Sequence, residues 1–316
     1  MATEGNSIER GRVEHYRNLE LLAKQVVEGF IVGLHKSPFH GFSVEFSEHR
    51  LYNNGESTRH IDWKLYGRTD KMFVKTFEEE TNLRCQIVID TSRSMFFPLE
   101  HHADAAHPNK ITFAVYAAAV LVEMLHRQRD AFGLALVSDK IDMQTPVQSR
   151  TVHQSFVYGL LEKLLAPVNT EGNTPQNTRI SDSLHQLAES LHRRSLVVIF
   201  TDALFADAED ESLFDAVRHL RHSKHEVILF HVLDKKAEVD LAFDSRPHLF
   251  VDMESGKRLK LLPSALAEKY ADFMKKRIDG IKQKAINHNV DYVEVDVGKG
   301  FDQVLQPYLY KRMKMR

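Results

Sequence analysis

The chain has 316 residues, of which 43% are hydrophobic and 27% are charged, and this balance predicts a globular protein with a substantial apolar core. The formal net charge of −2 provides no global attraction to nucleic acid or to an anionic membrane surface. The single cysteine excludes a disulfide framework and a cysteine-based zinc site, and it is typical of a reducing compartment.

The sequence predicts neither an amino-terminal signal peptide nor a membrane-spanning helix. The polar amino-terminal segment MATEGNSIERGRVEHYRN lacks the apolar core of a signal peptide. No apolar run approaches the roughly 18 residues of a membrane-spanning helix. The basic end YLYKRMKMR is interpreted as a solvated helix end rather than a nucleic-acid surface, because cations are favoured there by the helix dipole. We therefore expect a cytoplasmic protein without a membrane span or a nucleic-acid partner.

Residues 1–83 predict a small α+β extension rather than an independent domain. Apolar residues recur at helical spacing within residues 8–35. The segments 43–52 and 72–79 alternate like strands, and a turn and a short helix are predicted between them. The extension has few buried-strand signals of its own.

Residues 84–316 predict a second domain in which helices alternate with apolar strands. The run CQIVID has no alternation, which is typical of a strand that is covered on both faces. This order of elements predicts an α/β fold with a mainly parallel sheet and helices on both faces. The predicted strands are CQIVID, AFGLALVS, SLVVIFTD, EVILFHVL, HLFVDM and DYVEVDV, and the predicted helices cover 111–127, 151–165, 178–192, 207–222 and 263–287, before a last helix.

Short oxygen-bearing side chains follow two of the predicted strands. Asp90 ends the first buried strand in VIDTSRSM, and Ser92 and Ser94 follow it at alternate positions. Asp202 ends the later strand VVIFTD, and Thr174 lies between the two in the loop EGNTP. Because ligands of open α/β sheets bind outside the carboxyl ends of the strands, we expect these residues to form one site. Their hard oxygens suit one divalent cation, Mg²⁺, with Mn²⁺ or Ca²⁺ as alternatives.

The D-x-S-x-S pattern has a structural explanation as well as a functional one. By itself it is common as an Asx or serine turn that caps a helix. The position of Asp90 at a strand end, together with Asp202 and Thr174, favours a metal site. Thr170 and Thr178 flank Thr174, and either of them is an alternative ligand.

Two sets of motifs resemble known families. VIDTSRSM, GNT and FTD resemble, in order and spacing, the metal-ion-dependent adhesion site (MIDAS) of von Willebrand factor A domains. The segment GESTRHIDWKLYGRTDKMFVKTFEEE is similar to the signature that precedes such a domain in the bacterial domain-of-unknown-function 58 family. That signature reads roughly R-x-I-D-W, A-R and V-x-x-F-E-x-E, and the matching residues are Arg59, Asp62, Trp63, Arg68, Phe77 and Glu80. Gly67 replaces the usual alanine before Arg68.

The resemblance runs from about residue 35 to residue 312 and implies a von Willebrand factor A-like domain within 84–316. It also implies a non-enzymatic binding role and a MoxR-type AAA+ ATPase as the partner. On this basis we expect a metal-dependent protein-binding module that acts with the ATPase in assembly, activation or metal insertion of an unidentified client protein.

The resemblance assigns a role to each candidate ligand. It implies that Ser92, Ser94 and Thr174 contact the ion directly. It implies that Asp90 and Asp202 act through water or by orienting the hydroxyl groups.

A Mg²⁺-dependent hydrolase, such as a phosphatase that uses Asp90 and Asp202, is the alternative function. Haloacid-type phosphatases place a second acid two residues after the first, where this chain has Ser92. A phosphotransfer enzyme also requires a cationic group directed at the substrate, and Arg93 and Lys110 are the nearby cations in the sequence. The chain has neither a Walker A motif nor the glycine fingerprint of dinucleotide binding.

Histidine and cysteine supply two weaker candidates. The chain has 18 histidines, and His101, His102 and His107 lie in one polar loop that follows the candidate metal motif. Imidazoles suit transition metals, but a solvated loop or a binding rim is the favoured interpretation. Cys85 opens an apolar strand, which predicts a buried and inert thiol.

Overall fold

The computed structural model describes residues 19–35, 49–51, 63–70, 72–75, 83–99, 108–166, 180–203, 207–253 and 256–315. Contacts divide the chain into two compact units. One comprises residues 31–82, and the other comprises residues 1–30 together with 83–316.

The smaller unit contains a two-stranded sheet and a short helix. Strand β1 (His49–Leu51) pairs antiparallel with β2 (Phe73–Lys75), and helix α2 (Trp63–Thr69) lies between them in the chain. Both strands fall within the segments predicted from alternation. Arg68 is exposed in α2. The other residues of the family-like signature, apart from Trp63 at the start of α2, lie outside the described residues, namely Arg59, Asp62, Phe77 and Glu80.

Six strands form the central sheet of the larger unit. The strands that follow β2 are β3 (Arg84–Asp90), β4 (Ala131–Val137), β5 (Ile141–Gln144), β6 (Leu196–Thr201), β7 (Glu226–Leu233), β8 (His248–Val251), β9 (Arg258–Leu261) and β10 (Asp291–Asp296). The order in the central sheet is β10-β7-β6-β3-β4-β5, and every pair is parallel except β4 with β5. The prediction of a mixed α/β fold with a mainly parallel sheet is confirmed.

Helices cover the sheet in two groups. The bounds are α1 (Leu19–His35), α3 (Lys110–Arg127), α4 (Thr151–Leu164), α5 (Ile180–Ser190), α6 (Asp207–His222), α7 (Pro263–Asn287) and α8 (Asp302–Lys314). Helix α3 contacts α4 and α8, whereas α5, α6 and α7 contribute to one core cluster around Val88. Ile87 and Ile89 are also fully buried and point to the opposite face from Val88, so the middle of β3 is covered on both faces. No helix in the described part of the chain is long and apolar enough to cross a membrane.

Two details of the strands bear on the sequence prediction. The predicted strand HLFVDM does not join the central sheet, because β8 pairs antiparallel with β9 in a separate two-stranded sheet. Cys85 is fully buried in β3, as predicted, and this burial raises the pKa of its thiol.

The basic end of α8 is solvated at Lys314, as predicted, but Lys311 and Arg312 pair within the fold, which the sequence did not predict. Lys311 forms ion pairs with Glu226 at 2.5 Å and with Asp291 at 2.8 Å. Arg312 forms an ion pair with Asp130 at 2.7 Å. These two cations fasten α8 to the amino-terminal side of β4, β7 and β10.

Candidate functional site

The carboxyl ends of β3 and β6 bring Asp90 and Asp202 to the same edge of the sheet. Ile89 pairs in register with Phe200, so Asp90 is level with the last residue of β6 and Asp202 follows directly. Both acids are fully buried. The pKa of Asp90 is raised to about 7, first because burial disfavours its charge and second because the Asp202 carboxylate is close.

Both carboxylate oxygens of Asp90 accept hydrogen bonds. The Ser92 backbone N–H donates to Oδ1 at 2.9 Å, and the Thr201 hydroxyl donates to Oδ2 at 2.7 Å. Thr201 Oγ1 itself accepts from the Ala203 N–H at 3.1 Å. The contact with Ser92 is that of an Asx turn, so the structural explanation of the motif holds for Asp90. The same contacts fix the orientation of the carboxylate.

The hydroxyl oxygens of Ser92 and Ser94 lie 3.1 Å apart beside Asp90. Ser92 precedes a short 3-10 helix (Arg93–Phe96), but its side chain makes no capping hydrogen bond to that helix. Two oxygen ligands at right angles on Mg²⁺ lie about 2.9 Å apart, given metal–oxygen distances of about 2.0–2.1 Å. The two hydroxyls therefore have the spacing of one edge of a Mg²⁺ octahedron, a spacing that a hydroxyl–hydroxyl hydrogen bond also allows.

A buried lysine lies beside Asp202. The Lys110 ammonium donates to Asp202 Oδ2 at 2.7 Å and to Glu238 Oε1. Burial lowers the pKa of Lys110, but the two carboxylates outweigh this effect and leave the pKa raised. Lys110 therefore remains charged, and Asp202 has a cationic partner within the protein.

Local structure holds Lys110 and Glu238 in place. Lys110 is the first residue of α3, and Asn109 caps this helix by accepting from the Thr112 N–H at 2.9 Å. Glu238 lies in a π-helical turn (Lys235–Val239) after β7, where its Oε2 accepts from the Asp234 N–H at 3.0 Å. From the sequence, Lys110 was a candidate only as a cation directed at a phosphate substrate, and no role was predicted for Glu238. The available signal was an acid four residues beyond Asp234, which directly follows a buried strand.

Two further side chains hold the backbone after β6. His231 Nε2 lies 2.7 Å from the Asp202 carbonyl oxygen, and His231 Nδ1 lies 2.7 Å from the Tyr292 hydroxyl. Because a carbonyl can only accept, Nε2 carries the proton and Nδ1 accepts from the tyrosine. Burial lowers the pKa of His231 to about 4, consistent with this neutral form. Arg277 of α7 donates to the Ala203 carbonyl at 3.2 Å.

Several predicted candidates lie outside the described residues. They are Thr174, its alternatives Thr170 and Thr178, and the loop histidines His101, His102 and His107. Among the residues that the structure does describe, no group of three or more His, Cys, Asp or Glu side chains is arranged to hold a metal ion. A cation site at this edge would therefore depend on hydroxyl groups in addition to carboxylates.

The arrangement defines a Rossmann-like α/β protein with polar groups clustered at the carboxyl edge of its sheet. Residues 48–277 match a family described as "Protein of unknown function DUF58", and the chain belongs to this family. It is 27% identical over 244 residues to uncharacterized proteins of Mycobacterium tuberculosis and Mycobacterium bovis. These alignments cover 76% of this chain and 70% of each mycobacterial protein.

Solved structures give only distant likenesses. The conserved hypothetical protein BatB from Bacteroides thetaiotaomicron has a TM-score of 0.43 and 16% identity, with 74% of this chain and 98% of BatB covered. The PilB minor pilin from Streptococcus sanguinis has a TM-score of 0.42 and 9% identity, with 78% of this chain and 64% of the pilin covered. Neither likeness bears on function.

Proposed function

We propose that this protein is a non-enzymatic, metal-dependent protein-binding module with a von Willebrand factor A-like domain over residues 84–316. It holds one divalent cation, Mg²⁺ or alternatively Mn²⁺ or Ca²⁺, at the carboxyl edge of the sheet. It acts with a MoxR-type AAA+ ATPase in the assembly, activation or metal insertion of a client protein. The main support is the spacing of the Ser92 and Ser94 hydroxyls beside the buried and oriented carboxylate of Asp90.

Each residue has a distinct role in this proposal. Ser92 and Ser94 hold the ion directly, and Thr174 supplies a third hydroxyl. Asp90 orients the turn through its hydrogen bond to the Ser92 N–H. Asp202 acts through water, since its Oδ2 already accepts from Lys110. When bound, the ion offers a coordination position to a carboxylate of the partner.

The buried charges also favour a cation at this edge. Asp90, Asp202 and Glu238 supply three negative charges when ionised, and Lys110 supplies one positive charge. Within these four described side chains, the acids therefore exceed the lysine by two charges when all are ionised, and burial raises the pKa of Glu238 as well as that of Asp90. The pKa of Asp90 is raised first by burial and second by the Asp202 carboxylate, and a bound cation would offset this second effect.

Mn²⁺ binding by the full chain, measured by titration calorimetry, tests the metal site. We expect the double variant Ser92→Ala/Ser94→Ala to bind at least about tenfold more weakly than the wild type, because it lacks two first-sphere oxygens. Thr91→Val is the matched control. The Thr91 hydroxyl lies in the same turn but donates to the Val137 carbonyl oxygen at 3.0 Å, so this variant keeps wild-type affinity. Equal affinity in the double variant and the wild type would contradict the site.

Capture of a MoxR-type ATPase from the same organism extends this test to the partner. We expect the immobilised wild type and Thr91→Val to retain the ATPase in Mg²⁺ and to lose it in EDTA. The double serine variant and Asp90→Ala fail to retain it in either buffer. Capture that is indifferent to EDTA and to these substitutions refutes a metal-bridged interaction.

A further inference from the structure

Lys110 is a fully buried cation whose position the metal proposal does not explain. Its ammonium contacts Asp202 at 2.7 Å, and the Asp202 side chain is also fully buried. Glu238 contacts the same ammonium, and its side chain is 10% exposed. Burying a lysine is costly unless its charge is compensated, and here two acids from different elements compensate it.

We propose that Lys110 is an internal cation that competes with the divalent ion for Asp202 and thereby sets the metal affinity of the site. Glu238 moderates this competition, because it shares the ammonium and so weakens the hold of Lys110 on Asp202. The inference rests on the metal site proposed above and names the residues that regulate it.

Like charges explain why the two cations compete. A divalent ion that Asp202 helps to hold lies close to the Lys110 ammonium. Because Asp202 and Lys110 are both buried, little water lies between the ion and the ammonium. The repulsion between two cations is stronger in such surroundings than in solvent. Loss of the ammonium therefore strengthens metal binding, whereas a firmer Lys110–Asp202 pair weakens it.

A purely structural role for Lys110 makes a different prediction. Lys110 begins α3, Asp202 follows β6 and Glu238 follows β7, so the three residues also fasten three elements together. If fastening were their only role, substitutions that leave the protein folded would not change its metal affinity in opposite directions. The sign of the affinity change therefore separates competition from fastening.

Mn²⁺ titration calorimetry at fixed pH and salt tests the proposal on Lys110→Met, Glu238→Gln and the double variant. We expect Lys110→Met to bind at least about tenfold more tightly than the wild type, because Asp202 is released. We expect Glu238→Gln to bind about tenfold more weakly, because Lys110 then pairs with Asp202 alone. In the Lys110→Met background, Glu238→Gln weakens binding by less than it does in the wild type, because the lost Glu238 charge still matters but no ammonium remains to be shared.

Lys235→Met is the matched control for the loss of a lysine charge. Lys235 lies in the same π-helical turn as Glu238, but its side chain is 38% exposed and pairs with Glu294. We expect its removal to leave Mn²⁺ affinity within about twofold of wild type, because surface charges are screened by solvent and salt. Adding Ser92→Ala/Ser94→Ala to Lys110→Met abolishes the tight binding, which ties the signal to this site.

The outcomes distinguish this inference from the proposed function. If the wild type binds Mn²⁺ and Lys110→Met binds equally or more weakly, competition is wrong while the metal site stands. If only Lys110→Met binds, competition is supported and the proposed function of the wild-type site is wrong. If neither binds, both are wrong. If thermal scans show that Lys110→Met does not fold, Glu238→Gln decides, and equal or tighter binding by it overturns the inference.

Discussion

The ionisable side chains at the edge of the sheet have charge states that their immediate contacts determine. His231 is neutral because it is buried and donates to a carbonyl, whereas Lys110 remains charged because two carboxylates surround it. Asp90 is intermediate, since burial and Asp202 raise its pKa to about 7. Buried ionisable side chains at one edge of the sheet therefore differ in charge state because each has different partners.

His231 predicts an acid-dependent loss of stability. Its pKa falls from 6.5 in the unfolded chain to about 4 in the fold, so the folded state disfavours the imidazolium. Its stabilising contribution is complete above pH 6.5 and is lost as the pH falls toward 4, by about 3 kcal/mol in total. Urea unfolding from pH 7.5 to pH 4.5 measures this loss, and we expect a smaller loss in His231→Gln.

His222→Gln is the control for that measurement, because His222 is exposed in α6. It should lose stability with falling pH as the wild type does. A His231→Gln variant whose pH profile parallels that of the wild type would show that the buried imidazole does not contribute to acid sensitivity.

Secondary-structure elements were predictable where their apolar pattern is long and regular. The predicted helix 263–287 is α7 (Pro263–Asn287), because its spacing is helical and a proline marks its first residue. Strand β5 (Ile141–Gln144) was missed, since three of its four residues are exposed and it has no apolar run. The segment that became β8 has a strand pattern, but a pattern does not reveal whether its partner is the central sheet or a neighbouring hairpin strand.

The acids at the strand ends were predictable because they follow clear apolar strand patterns, whereas their partners were not predictable. An acid that ends a buried strand, as Asp90 does, or directly follows one, as Asp202 does, lies at a known edge of a parallel sheet. Lys110 lies 92 residues from Asp202 and 128 residues from Glu238 in the chain. The direction of the Lys110 side chain depends on how α3 packs, and the sequence pattern of α3 does not contain that information.

Asn109 caps helix α3, which begins with Lys110, and we expect this cap to stabilise the fold. Asn109→Ala removes the acceptor for the Thr112 N–H, and we expect it to lower the free energy of unfolding by about 1 kcal/mol. Asn109→Ser keeps a capping oxygen and should recover most of that loss. Urea unfolding of the three proteins makes the comparison, and equal stability of the alanine variant and the wild type would contradict the capping role.

In the molecule as a whole, the candidate site lies where the strands of the parallel sheet end. Both binding proteins and enzymes have sites at this position. Membership of a family of unknown function does not choose between them. The choice depends on whether the acids are available to a substrate. Asp90 is fully buried with both oxygens hydrogen-bonded, and Lys110 is directed at two acids rather than at solvent.

This arrangement predicts no phosphatase activity that depends on Asp90. Hydrolysis of a phosphate ester that uses Asp90 requires a carboxylate that reaches the phosphorus atom and a cation that stabilises the developing charge. Neither Asp90 nor Lys110 meets these requirements, because both are buried and engaged. We therefore expect the full chain with Mg²⁺ to release p-nitrophenol from p-nitrophenyl phosphate no faster than buffer, in a continuous absorbance assay. Turnover above that of Asp90→Asn, purified in parallel, would instead favour the hydrolase and remove the main reason for regarding this edge as a binding surface.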